Sequence, residues 1–205
     1  MDSGVEVAGV CVASKVLLVP AVEAFRNPTL ACLYTKWMND PVILRNTGSA
    51  QSSYTQKDVT ELFEIWRSDP NRNLFFVYTS DNKIPIGDIS LDIDPSINSG
   101  SRVADLSMMI GEKELRSNGR RKNGYGKDAL RLMLNYGFRD LEGKSRGLGL
   151  TEVRLTVYDF NLPGYRLYRS FGFEETQRKK VVNPYNGERC IDIYMSLSKD
   201  VFTKS

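Results

Sequence analysis

The chain has 205 residues, 41% of them apolar, 26% charged and 10% aromatic, which is enough for one well-buried domain and short for two. Its net charge of +3 is too small for wholesale binding of nucleic acid or of a membrane surface. It contains no histidine, which excludes every Ser-His or Cys-His nucleophile and every histidine base; catalysis would fall to carboxylates, tyrosines, backbone dipoles or water. The cysteines Cys11, Cys32 and Cys190 are odd in number and far apart, a pattern without zinc-site spacing that fits a reducing compartment. The start carries Asp2 and Glu6 rather than basic residues, and no apolar run approaches the roughly 20 residues that span a bilayer. A cytosolic or nuclear protein with no membrane partner is the expectation.

In chain order, residues 15–20 (KVLLVP) read as a strand ended by proline. Over 29–39 the apolar side chains of Leu30, Leu33, Tyr34, Trp37 and Met38 recur at helical spacing, and Asn39-Asp40-Pro41 stops that helix. Residues 46–53 read as a polar loop. Thr55 caps a second helix reaching Arg67, with Val59, Leu62, Phe63 and Trp66 on its apolar face. Turn-separated strands at 74–79, 84–93 and 102–111 suggest an antiparallel meander. A helix follows over 125–141, with Ala129, Leu132, Met133, Tyr136 and Gly137 along one side. A strand at 152–158 and a helix at 161–171 come next, with Pro163 in the first turn and Gly172 closing it. Two final strands, 173–182 and 189–197, join through the turn sequence Asn183-Pro184-Tyr185-Asn186-Gly187. The order predicts a single mixed α/β domain spanning residues 1–205, with a core over about 15–197.

Two segments carry chemistry. The first is Arg121-Lys122-Asn123-Gly124-Tyr125-Gly126-Lys127, which leaves a strand and opens a helix. Glycines there allow close backbone approach to a ligand, and the helix start offers unpaired N–H groups and positive dipole, an arrangement suited to a pyrophosphate. The five cations Arg116, Arg120, Arg121, Lys122 and Lys127, with no acid among them, suit a compact polyanion rather than a nucleic-acid strand. No Walker sequence and no complete dinucleotide fingerprint is present. A bland reading of this segment is a glycine-containing loop with solvated arginines.

The second segment runs from Asn161 to Phe173. Asn161 follows a strand, where it can cap the next helix while facing a cleft. Gly164 would leave room for an extended ligand, and Tyr168 lies two helical turns after Asn161, so both look to one side. The plainer alternative for Tyr168 is a packing aromatic.

Together these segments resemble the GCN5-related N-acetyltransferase (GNAT) family from about Lys15 to Leu197. Residues 121–126 look like its coenzyme-binding R/QxxGxG/A motif, and 161–173 are similar to its closing pattern of asparagine, small residue, LY and GF. Trp37-Met38-Asn39-Asp40-Pro41 and Leu148-Gly149-Leu150 resemble the subgroup that includes ribosomal-protein N-terminal acetyltransferases, and within it the eukaryotic N-acetyltransferase-nine type. Residues 114–120 lengthen the usual connection before the glycine loop, and Leu162-Pro163-Gly164 departs from the usual helix start.

The resemblance implies an acyl-CoA N-acyltransferase fold, with a mostly antiparallel sheet splayed between its fourth and fifth strands and helices on both faces. It implies acetyl-CoA as the acyl source, with backbone groups of Met109, Ile110 and Gly111 along the pantetheine arm. Arg121, Lys122, Asn123, Gly124, Tyr125, Gly126 and Lys127 would hold the pyrophosphate, Asn161 and Tyr168 would line the cofactor, and Tyr168 would serve as the acid that protonates the leaving thiolate. Asp88, Asp92 and Asp105 lie on predicted strands, and none is named as the base. Acceptor choice is expected from residues 37–54 and from the hairpin near Tyr185. A protein or peptide α-amine is favoured over a small-molecule amine. A non-catalytic CoA-binding or interaction module is the alternative of a different class.

Overall fold

The computed structural model describes residues 14–97, 101–116, 124–141 and 147–204. Seven strands, β1 (Val16–Pro20), β2 (Arg72–Thr79), β3 (Pro85–Ile93), β4 (Val103–Ile110), β5 (Glu152–Tyr158), β6 (Glu174–Val182) and β7 (Arg189–Ser198), form one sheet in the order β1-β2-β3-β4-β5-β7-β6. All neighbours are antiparallel except β4 and β5. That parallel pair requires a crossover, and the helix α5 (Tyr125–Phe138) makes it. The mixed sheet expected from the sequence is the one observed. Among the described residues no helix is long and apolar enough to cross a membrane.

One face of the sheet is covered by α1 (Ala21–Ala24), α2 (Leu30–Met38), α3 (Pro41–Thr47) and α4 (Gln56–Ser68). Tyr34 is the hub of this layer, meeting Trp37, Phe63, Trp66 and Phe76 edge-on at 5.3–5.9 Å, the geometry ring quadrupoles favour. Residues 41–47, read partly as a stop and partly as loop, are helical. Asp40 ends one helix and caps the next by accepting the Val42 N–H at 2.8 Å, Pro41 fits the first turn, and Gly48 at φ +62 closes it. Thr55 caps α4 as expected, in a capping box with Asp58.

The other face carries α5 and α6 (Leu162–Arg169), with a short α7 (Lys199–Lys204) at the end. Helix α5 buries Ala129, Leu130, Met133, Leu134, Gly137 and Phe138, so Leu132 and Tyr136, expected on the inner side, sit half-buried at its margin. A Cβ on Gly137 would come within 2.8 Å of Leu91, which is why the helix can lie so close to the sheet. Leu148-Gly149-Leu150 supplies three N–H groups to the carbonyls of Tyr136, Arg139 and Gly137, satisfying acceptors that a helix end leaves open.

Candidate active site

The site starts with a parting of strands. β4 and β5 pair only at Val103↔Glu152, Ala104↔Val153 and Asp105↔Arg154, although β4 runs on to Ile110 and β5 to Tyr158. β5 stays paired with β7 along its whole length, and β4 stays paired with β3 through Ile110. A cleft therefore opens between residues 106–110 and 155–158, edged by backbone groups without a neighbouring strand.

Which groups face that cleft follows from ladder alternation. The Gly111 N–H bonds the Ile86 carbonyl at 2.7 Å, and the Asp94 N–H bonds the Val103 carbonyl at 2.9 Å. Odd-numbered residues of β4 thus turn their backbone to β3, and even-numbered ones turn it to the β5 side. Of the three residues expected along a pantetheine arm, Ile110 presents its backbone to the cleft, whereas Met109 and Gly111 do not. The Met109 side chain packs instead with the α2–α4 layer. Met108, missed in the sequence, shares the cleft edge with Ile110; two-residue spacing was the available signal.

The start of α5 lies beside that edge. Gly124 precedes the helix at φ +83, a left-handed conformation that costs an ordinary residue about 1–2 kcal/mol. Glycine has no side chain with which to cap the helix, and among the described residues no side chain accepts from the helix's first-turn N–H groups. A Cβ on Gly126 would sit 3.7–3.8 Å from Met108, Ile110 and Leu167, which brings the helix start, the cleft edge and α6 to one place. Tyr125 packs on the main core and Lys127 is exposed. Arg121, Lys122 and Asn123 lie outside the described residues. Lys15 was not foreseen here: its Nζ would be 3.9 Å from a Cβ on Gly124, and its N–H bonds Asp128 at 3.0 Å. No local pattern could show a contact spanning more than a hundred residues.

Arg116, counted in the basic run, is not available to a phosphate. Its guanidinium bonds the carbonyls of Ile110, at 2.7 Å, and of Gly111, and pairs with Asp40 at 3.0 Å.

Across the cleft, Asn161 caps α6 by accepting the Gly164 N–H at 3.1 Å. A Cβ on Gly164 would fall 2.9–3.1 Å from the Asn161 side chain, so the space this glycine leaves belongs to the cap rather than to an extended ligand. The Gly172 N–H bonds the Arg169 carbonyl and the Phe173 N–H bonds the Tyr168 carbonyl. With Gly172 at φ +91 this is a Schellman closure, and it fixes Tyr168. That residue is 9% exposed and lies edge-on to Phe173 at 5.8 Å. Burial pushes its hydroxyl up to about 12.

The three carboxylates on the strands do other work. Asp92 pairs with Arg72 at 2.8 Å, and Asp105 pairs with Arg154 at 3.3 Å. Asp88 is buried under α2, its Oδ1 without a hydrogen-bond partner among the described residues. Burial raises its carboxyl from 3.8 to about 7 against the opposing pull of Arg72 and Tyr34. The folded chain therefore holds this proton to higher pH than the unfolded chain does, and the associated stability, whole below pH 4, is lost as pH rises towards 7. We expect Asp88→Asn, which cannot titrate, to melt at progressively higher temperature relative to the unsubstituted chain between pH 5 and pH 8, by up to a few kcal/mol in stability. A difference in melting temperature that stays constant with pH would contradict this.

The α3 helix and the β6–β7 hairpin meet over the end of β5. Arg45 pairs with Glu188 at 2.8 Å and lies 3.8 Å over the Phe160 ring, which stacks on Tyr158. Asn183, fully buried, donates to the Arg45 carbonyl at 2.9 Å. The Tyr158 hydroxyl occupies the space a side chain on Gly48 would need.

The parting of β4 from β5 opens a cleft, the start of α5 lies at its edge, and α6 approaches that start through Leu167. The family model "Acetyltransferase (GNAT) domain" matches residues 22–174, and the chain belongs to this family. The chain resembles an "N-acetyltransferase 9-like protein" of Caenorhabditis briggsae, 30% identical over 174 residues, covering 80% of this chain and 81% of that protein. It also resembles one of Nematostella vectensis, 24% identical over 200 residues, covering 93% and 90%. Among solved structures, spermidine N-acetyltransferase from Vibrio cholerae in complex with CoA and spermine superposes with a TM-score of 0.71 at 18% identity, over 92% of this chain and 98% of that one. The protein is an acetyltransferase, and enzymes of this family draw the acetyl group from acetyl-CoA.

Proposed function

We propose that this enzyme acetylates the N-terminal α-amine of a protein or peptide by direct attack of the amine on the thioester. The observation that carries this reading is the bridge between α3 and the β6–β7 hairpin made by Arg45, Glu188 and Asn183. It would close one side of an acceptor approach over the end of β5. An internal lysine needs chain to pass on both sides of the reacting nitrogen, whereas a chain terminus needs only one.

Acetyl-CoA supplies the acyl carbon as an activated thioester. The first-turn N–H groups of α5 and the ammonium of Lys15 would face its diphosphate, where dipole and charge both favour an anion. Backbone groups of Met108 would bond a pantetheine amide. The Ile110 N–H would steady negative charge on the acyl oxygen, and the Tyr168 hydroxyl would donate to the departing sulfur. The free thiols of Cys32 and Cys190 support a cytosolic or nuclear setting.

A small polyamine is the second reading, favoured by the carboxylates of Asp159, Asp192 and Glu188 grouped around Cys190 at the same end of β5. Mass spectrometry after incubation with acetyl-CoA and a mixed panel separates the two. The panel would hold peptides with free N-termini, the same peptides N-blocked but carrying lysine, and spermidine. Acetylation confined to free N-termini is expected. Modification of blocked peptides or of spermidine alone would overturn the α-amine reading.

A further inference from the structure

When β5 turns away, the cleft-facing carbonyl of Ile110 is left without a ladder partner, and so is the carbonyl of Gly111 just past the strand end. Both are taken by one side chain: Arg116 Nε donates to Ile110 O at 2.7 Å, and its Nη2 donates to Gly111 O. The third arm, Nη1, reaches Asp40 Oδ2 at 3.0 Å, and Asp40 is the cap of α3. A second tie runs parallel to this one. The Trp37 indole lies against Gly111, where a Cβ would meet its ring at 2.1 Å, and its Nε1 donates to Glu112 at 2.8 Å.

We propose that Arg116 is a positioning residue for the acyl site: it holds the end of β4 so that Ile110 offers the cleft a donor and no free acceptor, and it fastens that strand end to the α2–α3 corner. A bare carbonyl oxygen at this point would repel negative charge growing on an acyl oxygen. Occupied by a guanidinium, the same carbonyl is neutralised and immobile, and the neighbouring N–H keeps one direction before the ligand arrives. The planar fork is what the geometry needs. Three acceptors in different directions are met by one group, which a lysine ammonium on a flexible stem does not reproduce. The inference rests on the reading of Ile110 as the acyl-oxygen donor.

Infrared spectroscopy of bound acetyl-CoA labelled with ¹³C at the acetyl carbonyl tests this without any acceptor, with calorimetry of CoA alone as the companion measurement. In the unsubstituted enzyme the carbonyl stretch should move to lower wavenumber than in free acetyl-CoA. In Arg116→Lys at least half of that displacement should be lost, while CoA affinity stays within about threefold. Asp40→Ser retains a helix cap but removes the carboxylate that anchors the guanidinium, and it should lose a smaller part of the displacement. If the unsubstituted enzyme shows no displacement, the Ile110 reading fails and the inference fails with it. Equal displacement in the unsubstituted enzyme and in Arg116→Lys would overturn the role of Arg116 alone. A tenfold or greater loss of CoA affinity in Arg116→Lys would mark it as a cofactor ligand, which also overturns the proposal.

Discussion

Replacing Tyr168 by phenylalanine is expected to lower kcat by about a hundredfold while the melting temperature stays within about a degree or two. The two halves of this expectation have separate causes. The hydroxyl has no hydrogen-bond partner among the described residues, and burial is the sole cause of its shift to about 12. Its removal therefore orphans no buried group, and the ring keeps its contact with Phe173. The catalytic loss comes from the departing sulfur. A tyrosine held at about 12 is protonated throughout the working pH range, so the donor is always loaded. Full transfer to a thiolate, whose conjugate acid lies near 8.5, is uphill by about 4–5 kcal/mol. The contribution is therefore a hydrogen bond to the growing negative charge, with solvent completing protonation. It follows that the alkaline limb of the pH–rate profile keeps its position in Tyr168→Phe, because another group sets it. Unchanged kcat would return Tyr168 to the role of a packing aromatic.

Gly87→Ala should be the most damaging single-methyl change to the fold. A Cβ at that position would lie 2.0 Å from the Met109 carbonyl oxygen and 3.0 Å from the Ile110 Cα. Both are backbone atoms of the strand paired with it in register, so no side-chain rotation relieves the contact and β4 itself must shift. Overpacking of this kind costs about 3 kcal/mol, or about 6–12 °C in melting temperature for a chain of this length. The displaced segment is the cleft edge, so CoA affinity should fall at least tenfold as well. Gly187→Ala is the control: its φ of +72 is also left-handed, but nothing lies within 4 Å, and the cost should be about 1–2 kcal/mol with CoA binding unchanged. Equal losses in the two variants, measured by thermal melting and calorimetry, would refute the argument.

Local chemistry made much of the fold legible. Thr55, and Asn161 before a helix carrying Pro163, are caps whose positions at the helix starts predict their role, and both formed. Alternating apolar runs bounded by turn residues placed every strand to within two residues. Helix α3 was hidden because Asp40-Pro41 both ends and begins a helix, and only its stop signal is conspicuous. Gly164 and Arg116 were misread for a shared reason. A glycine or a cation in a suggestive segment carries no sign of what its space or charge is spent on. Asn161 fills the first, and two carbonyls with one carboxylate consume the second. Contacts such as Arg45 with Glu188 and Lys15 beside Gly124 join distant parts of the chain, so they emerge only when the sheet order is known.

The start of α5 and the parted strands β4 and β5 are read as one continuous cofactor site, and a crystal structure grown with saturating CoA is the decisive check. Diphosphate oxygens are expected within hydrogen-bond distance of the backbone N–H groups of the first turn of α5, with the pantetheine arm lying between residues 106–110 and 155–158. CoA seated elsewhere on the chain, with that opening empty, would rule this out.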